Sequence, residues 1–123
     1  MPYEAYKVMH FFGIAMLITA LAAVAMHVLR GGTRADLPHR RAIAVTHGVA
    51  VAFILTGGFG MLARLDIVQG GLPAWIYIKL AIWLALAIAI AAPYLGQRYA
   101  RGLLVALPVL TAAAGATALY KPF

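Results

Sequence analysis

The sequence predicts an all-α protein, an antiparallel four-helix transmembrane bundle in a single domain. Three observations point there. Of the 123 residues 65% are hydrophobic and only 11% charged, against roughly half apolar and a quarter charged in an ordinary soluble domain. The apolar residues gather in four runs, 6–29, 42–65, 74–95 and 103–120, each close to the roughly 20 residues of helix that cross a bilayer core of about 30 Å. None of the runs alternates with period two, and backbone in hydrocarbon must satisfy its own polar groups, as a helix does within one segment.

The first span carries Lys7 and His10 near its start and His27 at its end, before Arg30-Gly31-Gly32. Ala23-Val24-Ala25 has the small-residue form of a signal-cleavage site, but the apolar stretch is longer than a signal sequence needs, so a retained helix is expected. Loop 30–41 holds Pro38 and His39, and the second span then carries Thr46, His47 and the glycines Gly57, Gly58 and Gly60, closing on Arg64. Gly70, Gly71 and Pro73 break the chain before the third span, which contains Lys79 and, deeper, Trp83. A third break is expected over 96–102. In the fourth span Pro108 predicts a kink, and Thr111, Ala112, Gly115 and Ala116 form small-xxx-small pairs for close contact within the bundle or across a homodimer. Tyr3, Tyr6, Trp75, Tyr77, Tyr94, Tyr99 and Tyr120 fall near span ends, where an interfacial aromatic belt belongs.

The net charge of +7 is a sign shared with nucleic-acid binders, but here the basic residues sit in short loops between apolar runs, so the bilayer is the partner expected. Arg30, Arg34, Arg40 and Arg41 in the first loop and Arg98 and Arg101 in the third outnumber Lys7, Arg64, Lys79 and Lys121 on the other side. The positive-inside bias therefore predicts a multi-pass membrane protein with loops one and three cytoplasmic and both termini outside. Absence of cysteine excludes thiolate metal sites, iron–sulfur clusters and disulfides. The chain has no serine, and Glu4, Asp36 and Asp66 lie at span ends or in loops; serine hydrolysis, a carboxylate proton relay and a glycosidase pair are unsupported.

Imidazole is the chemistry that remains. Polar side chains at membrane depth are costly and mostly functional, and histidine suits transition metals and haem iron. Two groups form: an outer one of His10, Arg64 and Lys79, and an inner one of His27 and His47 beside the loop arginines. His10 and His27 are about 25 Å apart along the helix axis. A haem b in a helical bundle needs an axial imidazole, often a second ligand, cations for its propionates and small residues against the macrocycle. His10 is the first candidate axial ligand, with His47 and His27 as the alternative pair. Lys79 and Arg64 would neutralise propionates, or Lys79 would itself ligate. Gly13, on the face of His10, and Gly58, nearly on the face of His47, would make room. Each has a plainer reading: glycines for helix packing, Arg64 and Lys79 snorkelling to headgroups, His47 bonded to helix one, His27 solvated. His39, between Pro38 and Arg40, reads as loop surface. Met9-His10 and Met26-His27 raise copper(I), although adjacent helical residues diverge by about 100°.

Tyr6-Lys7-Val8-Met9-His10-Phe11-Phe12-Gly13-Ile14 and Trp75-Ile76-Tyr77-Ile78-Lys79-Leu80, with the glycine-rich helix 46–62 between them, resemble the small four-helix bacterial membrane proteins of the CopD-like and SirB-like group. They are also similar to the bacterial haem-dependent membrane protoporphyrinogen oxidase. The resemblance covers the first three spans; the fourth is generic. It implies a b-type haem served by His10 and Lys79. Shorter length and the additional His27 and His47 depart from the oxidase pattern, and the length favours the SirB-like end. The leading expectation is a membrane haem b protein passing electrons to a redox partner or quinone. A haem-dependent porphyrinogen or quinol oxidoreductase is the enzyme alternative, and a cofactor-free interaction or copper-handling protein the third.

Overall fold

The computed structural model describes residues 2–65 and 71–120, so Asp66 and Lys121 lie outside the described residues. Within them all the regular secondary structure is helical, with α1 over Tyr3–Leu29, α2 over Arg40–Leu65, α3 over Ala74–Ile88 and α4 over Gln97–Tyr120. A 3₁₀ segment, Ala89–Leu95, extends α3, so all four helical stretches are long and apolar enough to cross a membrane.

The helix starts follow from proline. Pro2 and Pro73 stand at the N-caps of α1 and α3, in extended conformation. Their carbonyls accept from Ala5 and Ile76, and proline there forfeits no intrahelical donor. At the other end, Pro93 cannot donate to the preceding turn, and the third span tightens to 3₁₀ before it stops. Gly96 alone then turns the chain at φ 154°, a region essentially closed to residues with a side chain. Its carbonyl accepts from Tyr99 and Ala100, so α4 begins at once. The expected loop 96–102 thus shrinks to one residue, and Arg98 and Arg101 ride on the first turns of α4.

α1 is the central helix. Its buried residues are His10, Gly13, Leu17, Ala20, Leu21, Val24, Ala25 and Val28, a spacing of threes and fours that marks one face. Leu17, Leu21, Ala25 and Val28 form the main core with Ala50 of α2, Leu86 of α3, and Ala100, Leu103 and Leu107 of α4. Early residues of α1 meet late residues of α2: an added Cβ at Gly57 would lie 2.7 Å from the Tyr6 carbonyl oxygen, and one at Gly13 would lie 3.0 Å from that of Ala50. Glycine lets these two backbones touch. α3 meets α2 more sparsely, through Trp83 Nε1 donating to the Val51 carbonyl at 2.9 Å and His47 Nε2 donating to that of Leu86 at 3.3 Å. Leu62, Trp75 and Ile76 make a second, smaller core at the far end.

Helix four passes through Pro108 without a break. The Thr111 hydroxyl donates to the Leu107 carbonyl at 2.7 Å. Ala112, Gly115 and Ala116 are exposed, with nothing within 4 Å of a Cβ added at Gly115. The small-residue stripe therefore does not pack inside the bundle.

Candidate functional site

His10 is buried on α1, 9% exposed, and its ring is pinned by α2. Nδ1 lies 2.8 Å from the Ile54 carbonyl oxygen. A carbonyl only accepts, so Nδ1 carries the proton and Nε2 of the neutral ring keeps its lone pair. Nε2 has no partner among the described residues. Every buried side-chain nitrogen or oxygen there is hydrogen-bonded, so Nε2 reaches the bundle surface. This is how a metal-binding histidine is held: one nitrogen fixed by a carbonyl that orients the ring and raises its basicity, the other free.

The α2–α3 bonds from His47 to Leu86 and from Trp83 to Val51 set the helix register. Continued by two turns, it puts Lys79 of α3 level with Ile54. Lys79 is partly buried and has no hydrogen-bond or ion-pair partner among the described residues. His10, bonded to Ile54, and Lys79 thus lie at one level of the bundle. Arg64, the third member, is exposed one residue before the end of α2, about 10 Å along the axis beyond Gly57.

Gly13, Gly57 and Gly60 follow the packing reading and not the cofactor one. A Cβ on Gly13 would meet Ile54 Cγ1 at 2.9 Å, and the space beside Gly57 is filled by the Tyr6 and His10 backbone. Gly60 faces the Tyr6 ring. These positions are α1–α2 contact, with no slot left between the helices for a macrocycle. Gly58 faces His10, its added Cβ falling 3.5 Å from Cε1; that Cβ would make ordinary contact with the ring.

The inner histidines are not joined. His47 is 7% exposed and spends Nε2 on the Leu86 carbonyl, a bond to helix three and not, as expected, to helix one. It lies seven residues from Ile54, about 10 Å along α2, too far for His10 and His47 to flank one iron within one chain. His27 sits at the end of α1, where Nε2–H is shared by the Thr33 carbonyl and Asp36 Oδ1, each 2.8 Å away. Asp36 Oδ1 also accepts from the Thr33 amide at 2.7 Å. That amide first, and the His27 ring second, hold the Asp36 carboxyl below its ordinary 3.8. Gly32 packs against the imidazole. His27 is a loop lock, and the alternative ligand pair with His47 does not form. Asp36 was missed as its partner; an aspartate three residues after Thr33, closing a turn through a backbone amide, was the signal available. His39 is exposed, at φ 57°.

Among the described residues no three His, Cys, Asp or Glu side chains converge as a metal site. A bare ion needs such a cluster. Haem iron does not, because the porphyrin supplies four nitrogens and one or two protein ligands complete the set. Near His10 the described residues offer one such nitrogen, Nε2, at the bundle surface. Two clefts, of 270 and 640 Å³, lie at the opposite end around loop one. Comparison with protein-family models, curated proteins and solved structures finds no match.

Proposed function

We propose that the chain crosses the inner (cell) membrane of a bacterium four times as an antiparallel bundle and holds haem b through His10 Nε2, serving electron transfer. The observation that carries this reading is the His10 ring itself, with Nδ1–H donated to Ile54 at 2.8 Å and Nε2 unpaired. When bound, the haem supplies a one-electron iron couple. The chain's residues do the rest. Ile54 fixes the ring orientation and tautomer. Lys79, level with His10, offers the cation a propionate needs inside a bilayer, where an unpaired charge is costly. Loop one and the start of α4, rich in arginine, face the cytoplasm.

An unpaired Lys79 at the level of His10 also favours a second reading, a haem-dependent porphyrinogen or quinol oxidoreductase, with the lysine binding a substrate carboxylate or proton. Addition of haem to the detergent-purified protein tests both. One equivalent is expected to bind with the sharp reduced α band of a b-type haem; His10→Ala removes it and His47→Ala keeps it. An unchanged spectrum in His10→Ala would overturn the assignment. Lys79→Gln, retaining haem but losing turnover of a porphyrinogen, would separate enzyme from carrier.

A further inference from the structure

The end of the molecule away from His10 carries a charge imbalance that the haem reading leaves unused. Arg30, Arg34, Arg40, Arg41, Arg98 and Arg101 gather there on loop one and the first turns of α2 and α4. Among the described residues the only carboxylate at that end is Asp36, and its Oδ1 is engaged by His27 and the Thr33 amide. Two of the arginines are steered by the protein: Arg40 donates to the Arg34 carbonyl at 3.1 Å, and Arg98 lies 4.8 Å over the Tyr99 ring. No arginine at this end forms an ion pair among the described residues. All six residues are exposed, within reach of an anion from outside the chain.

The cleft of 270 Å³ at this end has the matching shape. Its lining mixes apolar Val28, Pro93 and Tyr94 with polar Thr33, Arg34 and Gln97. It lies where α1 ends and α4 begins, the depth at which the bundle would leave the hydrocarbon. Its volume is below the about 300–1,000 Å³ of sites for drug-sized ligands, which suits a headgroup and the first atoms of its chains. The loop backbone is already committed: Gly31, Gly32 and Gly96 donate to Val28, His27 and Pro93. The Gln97 amide is committed as well, donating to the Val28 carbonyl at 3.4 Å, so Arg34 is the donor left to do the binding.

We infer that this cleft binds the phosphodiester headgroup of an anionic phospholipid, with Arg34 on the phosphate and the chains passing along Val28 and Tyr94. The inference rests on the membrane-spanning reading and is independent of haem. Native mass spectrometry of the detergent-purified protein, offered phosphatidylglycerol and phosphatidylcholine in equal amounts, tests it. The native chain should retain phosphatidylglycerol at least fivefold better, and Arg34→Gln should lower that preference about fivefold, the equivalent of the ~1 kcal/mol that one basic residue contributes at an anionic membrane surface. Lys7→Gln, at the other end, should change nothing. Should Arg34→Gln fail to fold, added salt on the native protein provides the same reading, because screening must collapse the preference. Equal retention of the two lipids, or equal loss in Lys7→Gln, overturns the site. Displacement of phosphatidylglycerol by millimolar inorganic phosphate would assign the cleft to free phosphate and overturn the lipid. Failure of the protein to enter phosphatidylcholine vesicles would refute the membrane reading, a separate result from loss of lipid preference.

Discussion

Substitution of Gly57 by alanine places a methyl group between two backbones. The added Cβ would fall 2.7 Å from the Tyr6 carbonyl oxygen, 2.8 Å from the His10 nitrogen and 2.9 Å from His10 Cβ. None of those atoms belongs to the far end of a flexible side chain, so α1 must move away from α2 by several tenths of an ångström. Overpacking of this kind costs roughly 1–3 kcal/mol, about 5- to 150-fold in the unfolding equilibrium. The displacement begins at His10 and strains its bond to Ile54. Gly48→Ala is the matched control on the same helix, since nothing lies within 4 Å of its added Cβ. Gly58→Ala is the near neighbour, with contacts no closer than 3.5 Å. Reversible unfolding in mixed micelles of dodecyl maltoside and increasing dodecyl sulfate, followed by tryptophan fluorescence and circular dichroism, ranks the three. Gly57→Ala is expected to unfold at clearly lower dodecyl sulfate than Gly48→Ala, with Gly58→Ala close to wild type. If Gly57→Ala were as stable as Gly48→Ala, the close approach of α1 and α2 would be refuted.

Trp83→Phe deletes the donor to Val51 while keeping most of the apolar bulk; a loss of about 0.5–1.5 kcal/mol is expected in the same titration, and no loss would show that the indole bond does not hold α3 to α2. The loop lock has a pH dependence whose sign is fixed. The folded Asp36 carboxyl lies below its ordinary 3.8, so its contribution is fully present above that value and is lost as pH falls through the lower folded one. Exchange of the Thr33 amide, relative to its intrinsic rate, should therefore stay slow above pH 3.8 and rise at stronger acidity, and Asp36→Asn should weaken the protection at neutral pH.

Four helical spans were legible from hydropathy and length alone, because proline, glycine and arginine punctuate the runs. The inward face of each helix was not. Phe11 and Phe12 are exposed at 58% and 56% while Leu21 of the same helix is fully buried, although all three are equally suited to lipid. A helix apolar on every side gives no amphipathic signal, and the face is decided by where Gly13, Gly57 and Ala50 allow approach. The length of the third break was hidden for a different reason: Gly96 and Gly102 look alike in sequence, but only Gly96 adopts a positive φ.

At the candidate site, His10 and Lys79 were legible as a polar pair of similar depth, since each is counted inward from the start of its span and spans one and three run in the same direction. The separation of the histidines by role was not. His10 and His27 stand at the two ends of one helix with similar neighbours, and they differ because Asp36 folds back on one and the Ile54 carbonyl meets the other. Every residue has a carbonyl, so the second of these leaves no mark in the sequence.

The most direct measurement is chemical rescue of the ligand. In His10→Gly, where the space of the imidazole is left open, the haem b spectrum should vanish and return with added free imidazole, while His27→Gly and His47→Gly need no rescue. A wild-type protein that takes up no haem, or a His10→Gly variant whose haem spectrum persists without imidazole, would contradict His10 Nε2 as the iron ligand.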